Sequence, residues 1–135
     1  MKCNRLLRLL QLKPRRTPIH ELYSAFNTLP FHLLFQFHIA KFMHNCLYNS
    51  SQVPVAIRSW FQRGTSLHAY FTRHCNRFII NSNCNPRSIF FLGPSLWAKL
   101  PIHLQNDPSH TSFLRHCKDY LSTKFFVHFS SIFFN

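Results

Sequence analysis

Apolar positions recur at helical spacing along much of this chain, and the rhythm fails in its middle. Residues 5–12 place Leu6, Leu9 and Leu10 on one side of a short amphipathic helix, with Arg5 and Arg8 off that side. Lys13-Pro14-Arg15-Arg16-Thr17-Pro18 then breaks the pattern, because each proline lacks a backbone donor and restricts the residue before it. Residues 19–28 predict a second helix through Ile19, Leu22, Tyr23 and Phe26, ended by Leu29-Pro30. The strongest signal runs from 31 to 47, where Phe31, Leu34, Phe35, His38, Ile39, Phe42, Met43, Cys46 and Leu47 form a stripe. It predicts one helix packed by its aromatic face, with Lys41, His44 and Asn45 off the stripe and the cluster from Asn49 to Pro54 as the stop.

Beyond Val55 the pattern weakens, although Ile57, Trp60 and Phe61 supply one more packed turn before Gly64. Residues 67–92 predict extended or irregular chain: Leu67, Ala69 and Phe71 alternate with His68, Tyr70 and Thr72, Phe78-Ile79-Ile80 is a short strand candidate, and Asn81 to Pro86 is turn-like. Gly93-Pro94 introduces a compact apolar segment closed by Pro101, and Ser109 or Thr111 caps a last helix carrying Phe113, Leu114, Cys117, Tyr120 and Leu121. Residues 125–134, FFVHFSSIFF, are an aggregation hazard if exposed, since they join high β-propensity to an absence of formal charge. The expectation is a mainly α, small helical domain with an irregular or short β-hairpin insert, whose folding in isolation the composition does not guarantee. Its divisions are a basic amphipathic lead and proline-rich connector at 1–18, a main region at 19–121 and a Phe-rich tail at 122–135.

Charge changes this picture more than size does. A chain of 135 residues fits one small domain, and 46% apolar residues with 16 Phe provide core material. Against 16 Lys and Arg stand only Glu21, Asp107 and Asp119, a formal charge of +13 that favours a polyanionic neighbour such as RNA or single-stranded DNA. Arg58, Arg63, Arg73, Arg77 and Arg87 are the candidate phosphate contacts. Trp60, Tyr70 and Phe71 interleave with them and could stack on bases; core packing is favoured for Trp60 and Phe71, and Tyr70 suits either setting.

The chemistry-bearing residues point away from catalysis. Cys3, Cys46, Cys75, Cys84 and Cys117 are scattered without a CxxC pair, and neither His74-Cys75 nor His116-Cys117 has the spacing of a metal knuckle, so no metal or cofactor is expected. Cys75 beside His74 lacks an established base and orienting group, His38 sits apart in a helix, and three acids are too few for two-metal chemistry. Neither a phosphate-binding Walker loop nor a dinucleotide glycine fingerprint occurs. With no convincing signal peptide and no apolar run of spanning length, the expected setting is intracellular and reducing, nuclear or cytoplasmic.

The order of several short blocks adds a family reading. Glu21-Leu22-Tyr23 leads to Leu29-Pro30, then Gln36, Ala40, Phe42-Met43 and Cys46; Leu67-His68-Ala69-Tyr70-Phe71-Thr72-Arg73 contains H-x-Y-x-T-R; Arg87-Ser88-Ile89-Phe90 precedes Gly93-Pro94-Ser95-Leu96-Trp97-Ala98-Lys99-Leu100-Pro101, a G-x-x-x-W-x-x-L-P element; Phe113-Leu114 and Tyr120-Leu121 close the series. In this order, over roughly residues 15 to 121, the chain resembles the C-terminal region of jockey-like non-LTR retrotransposon reverse transcriptases. The resemblance implies a transposable-element origin, and a region at 19–121 that follows the core of an RNA-directed DNA polymerase in a larger protein. That polymerase needs an aspartate-rich palm to hold divalent metals, which this chain does not contain, so the implied product is a non-catalytic fragment.

The implied roles are thumb-side packing on the polymerase core or contact with template. His68, Tyr70, Thr72 and Arg73 form the expected interaction or folding unit, with Arg73 as its phosphate contact, and Gly93, Trp97, Leu100 and Pro101 carry the second motif, with Trp97 as packing anchor. The terminal helix departs from the family's commonly basic pattern at His116 and Asp119, and residues 125–134 lie beyond the match. Two other readings stay open: a small basic intracellular nucleic-acid-binding module using the five arginines, and a protein-interaction remnant using Phe35, Phe42 and Trp97.

Overall fold

A computed structural model describes residues 2–61, 78–80 and 83–133, and the regular structure among them is overwhelmingly helical. The α-helices are α1 (Lys2–Leu10), α2 (Ile19–Ala25), α3 (Phe31–Tyr48), α4 (Val55–Arg58), α5 (Ile89–Lys99), α6 (Ile102–Gln105) and α7 (His110–Phe133), with a 3-10 turn at Ser50–Gln52. The chain divides into two units, Met1–Leu34 with Lys118–Asn135, and Phe35–Cys117. The expected mainly α architecture stands. The hairpin expected between 67 and 92 falls largely outside the described residues, and no hairpin occurs among those that are described.

In the first unit, Leu22 and Tyr23 of α2 are buried, and the Tyr23 ring meets Phe125 edge-on at 6.1 Å. Helix α1 is held by its polar side: Asn4 Oδ1 accepts from the Tyr23 hydroxyl at 2.8 Å, Gln11 Nε2 donates to Leu22 O at 2.8 Å, and the Arg8 guanidinium donates to Thr17 O at 3.2 Å. Both short helices end in the same way. Lys13 N–H returns to Arg8 O and Leu12 N–H to Leu9 O, and Thr28 N–H returns to Tyr23 O with Asn27 N–H to Ser24 O. Each is a Schellman closure that places the residue after the cap in the left-handed region, Leu12 at φ 52° and Asn27 at φ 46°. Asparagine tolerates that conformation; leucine does so at a steric cost.

The second unit is built around Trp97. Its indole is fully buried against Phe78 at 6.1 Å and Phe113 at 5.7 Å, with His44 at 6.4 Å. The expected face of α3 needs correction. Phe31, Phe35 and His38 are exposed, while Ile39, Ala40, Met43, His44, Cys46 and Leu47 are buried, so the inward stripe is rotated toward His44. The physical reason is that His44 finds a backbone partner and aromatic neighbours inside, which removes the penalty that had placed it on the polar side.

Residues 89–92 also differ from the extended chain expected there. Ser88 caps α5 by accepting from Phe90 N–H at 3.3 Å, and the helix then continues through Gly93 and Pro94. Pro94 removes one backbone donor, yet Gly93, Pro94 and Trp97 are all buried, and that burial outweighs a single missing helical bond. The last helix starts as expected, with Ser109 Oγ accepting from Ser112 N–H at 3.4 Å, but its backbone runs on to Phe133 through most of the segment expected to be β-prone.

Two stability tests follow from these contacts. Leu12→Gly relieves the left-handed strain and is expected to stabilise the first unit by roughly 0.5 to 1 kcal/mol in denaturant unfolding. Trp97→Ala is expected to cost about 3 to 5 kcal/mol in the unfolding of the second unit, and an unchanged transition would remove Trp97 from its place as anchor.

Candidate functional site

The Gly93-to-Pro101 element is the part of the expected motif set that the structure brings together, and each of its named residues has a folding task. A methyl group on Gly93 would lie 2.6 Å from Met43 Sδ, so the absence of a side chain lets α5 approach α3 closely. One turn later, Trp97 fills the core. Leu100 is extended, as a residue before proline must be, and its carbonyl accepts from Gln105 Nε2 at 2.7 Å. Pro101 caps α6, receiving Leu104 N–H at 3.0 Å and Gln105 N–H at 3.2 Å on its carbonyl.

Beside this element lies a polar cluster that sequence reasoning missed. His44 is fully buried and stacks on Phe113 at 4.3 Å, with Tyr48 at 4.9 Å and His110 at 5.5 Å. Its Nε2 is 2.9 Å from Asp107 O; because a carbonyl only accepts, Nε2 carries the proton and donates. Nδ1 is then a bare acceptor, buried without a hydrogen-bond partner, as is Nδ1 of His110. The Tyr48 hydroxyl donates to Gln105 O at 2.8 Å and completes the tie between α3 and the chain before α7. Nothing in the periodicity marks His44 as inward; the only available hint is its position next to Met43 on a helix rich in apolar residues.

The electrostatics of this cluster oppose charge inside it. Burial lowers the His44 pKa below its ordinary value, with His110 adding to the effect, and outweighs the hydrogen bond to Asp107 O and the Asp107 charge. The Asp107 carboxyl is held below the usual carboxylate range, first by the Ser112 hydroxyl, then by the Ser109 backbone N–H and the neighbouring histidines. His116 Nδ1 lies 3.8 Å from Asp107 Oδ2 at the surface. Burial pushes the Cys117 thiol up to about 12, which keeps it protonated and a poor nucleophile near neutral pH. His116 is exposed while the adjacent Cys117 is buried, so this pair faces two environments. Among the described residues no group of three or more His, Cys, Asp and Glu is placed to hold a metal ion.

The remaining candidates are dispersed or undescribed. Arg58 is partly buried and its guanidinium donates to Ser50 O at 3.1 Å, closing the turn before α4. Arg87 is exposed, in a turn where its N–H donates to Asn85 Oδ1 at 2.9 Å. Arg63, Arg73 and Arg77, with His68, Tyr70 and Thr72, lie outside the described residues, as do Phe71, His74 and Cys75. Trp60 is largely exposed, with its ring edge-on to Phe90 at 4.9 Å. Of the proposed interface trio, Trp97 is corrected to a core residue, Phe42 packs edge-on against Phe61 at 5.6 Å, and Phe35 alone is exposed.

No family model, no curated protein and no solved structure matches the chain. The labels that the motif order had implied, namely retrotransposon, transposable element, reverse-transcriptase-like and RNA-directed DNA polymerase fragment, are corrected. The described residues form a small, mainly helical domain that does not match a reverse-transcriptase fold. Among those residues, no helix is long and apolar enough to cross a membrane.

His44 predicts a pH dependence with a definite sign. Its pKa is lower folded than unfolded, so its contribution is complete above the unfolded value of about 6.5 and is lost as pH falls below that value toward the folded one. Urea unfolding at about pH 7.5 and about pH 5 is expected to show a loss of stability at the lower pH that is smaller in His44→Phe. Equal losses in the two proteins would contradict the burial of a neutral imidazole.

Proposed function

We propose that this chain is a non-catalytic packing module that lends structural support to a larger protein. The observation carrying this reading is an imbalance in the second unit. The motif residues Gly93, Trp97, Leu100 and Pro101 serve its own folding, while Phe35, Val55 and Trp60 are each exposed by half or more. Large apolar side chains left in water on a small unit suit a surface that a neighbour covers.

Chemistry of its own has little to work with. Glu21 and Asp119 are exposed on α2 and α7, Asp107 is engaged at the start of α7, and the buried thiols of Cys46 and Cys117 lie in apolar surroundings.

The test begins with the transcript. A transcript that encodes a further folded core in frame with this chain is expected. That core, expressed alone, should gain thermal stability when this chain is added in trans. Phe35→Ser with Val55→Ser should abolish the gain while changing the chain's own unfolding by no more than about 0.5 kcal/mol per exposed site. Metal-dependent nucleotide addition by the isolated chain, or a core indifferent to its presence, would overturn the proposal.

A further inference from the structure

Helix α1 is turned inside out. Its hydrogen-bonded side carries Asn4, Arg8 and Gln11, whereas Leu6, Leu9 and Leu10 lie on the opposite side in water, followed by Leu12. Their exposure runs from 58% at Leu6 to 93% at Leu12. A helix that folds in this way gains polar anchorage and leaves its aliphatic stripe for something else.

The chain supplies a second observation in the same segment. Arg8, Arg15, Arg16 and His20 line a cleft of about 330 Å³ at the connector between α1 and α2. Arg8 donates to Thr17 O through one terminal nitrogen, but its Nε is buried without a hydrogen-bond partner. Arg5, Lys13, Arg15 and Arg16 are exposed along the helix and its connector, where cations can meet an anionic surface. Lys2, Arg5, Arg8, Lys13, Arg15 and Arg16 all precede Glu21, the first acid of the chain.

We propose that α1 and its connector form a docking site for an anionic phospholipid surface, with the leucines entering the acyl boundary and the exposed cations of the same segment drawn to its headgroup phosphates. Other occupants fit less well. A second copy would bring together two chains of formal charge +13. A nucleic acid would satisfy the arginines but gains nothing from aliphatic side chains, which offer bases no flat face for stacking. At about 13 Å, a helix of nine residues is too short to span and lies along the interface. Aliphatic insertion and basic attraction are each weak alone, and a stable surface attachment needs both. The site uses the first unit alone and stands independently of the packing role proposed for the second.

The full chain is incubated with vesicles of phosphatidylcholine mixed with phosphatidylserine, with vesicles of phosphatidylcholine alone, with inorganic phosphate and with single-stranded RNA. Cosedimentation with the mixed vesicles is expected, weakened by salt and absent with phosphatidylcholine alone. Arg15→Gln with Arg16→Gln should weaken partition roughly thirtyfold, at about fivefold for each cation near an anionic surface. Leu6→Ser with Leu9→Ser and Leu10→Ser alters only exposed positions, so the helical circular dichroism signal should persist while vesicle binding is lost. Undiminished vesicle binding by the leucine variant would overturn the proposal. So would equal partition into neutral vesicles, or full-strength RNA binding by that variant together with no vesicle binding by the parent chain.

Discussion

The second unit is organised by the removal of one indole from water. Trp97 is fully buried, with the rings of Phe113 on α7, His44 on α3 and Phe78 packed around it. Gly93 lets α5 approach α3 closely, and Leu104 and Gln105 of α6 are buried as well. A core of this size has few residues with which to compensate, so a single large aromatic carries a large share of its stability.

The polar groups inside that core are matched to main-chain carbonyls more than to one another. His44 donates to Asp107 O, the Tyr48 hydroxyl to Gln105 O, and Gln105 Nε2 to Leu100 O. Carbonyls of irregular chain have no helical donor to satisfy them, so these side chains fix segments that would otherwise lose their hydrogen bonds on burial. The arrangement gives the loops before and after α6 a defined course without a disulfide or a metal. It also keeps the interior hostile to charge, which the direction of the His44 shift reflects.

Much of the helical layout was legible in residue spacing, because α2, α3 and the beginning of α7 each carry an apolar rhythm and a recognisable stop or cap. The angular position of the buried face was not. Spacing places His44 off the apolar stripe, and the carbonyl of Asp107 and the ring of Phe113, both remote in sequence, make its burial favourable. The extended chain expected through residue 92 gives way for a related reason: burial of Gly93, Pro94 and Trp97 goes with a helix that already begins at Ile89. The leucines of α1 were correctly grouped on one side, but grouping alone does not say whether that side faces a core or the solvent. Of the candidate site, the G-x-x-x-W-x-x-L-P element was legible as a unit, and its work proved to be internal.

The closeness of Gly93 to Met43 joins two positions from different helices into one steric pair. Drift at either is conditional on the other: a side chain can enter at 93 only where the thioether at 43 has shrunk or swung aside. Homologous chains should therefore vary at these two sites in concert, a correlation that records helix proximity with no ligand involved.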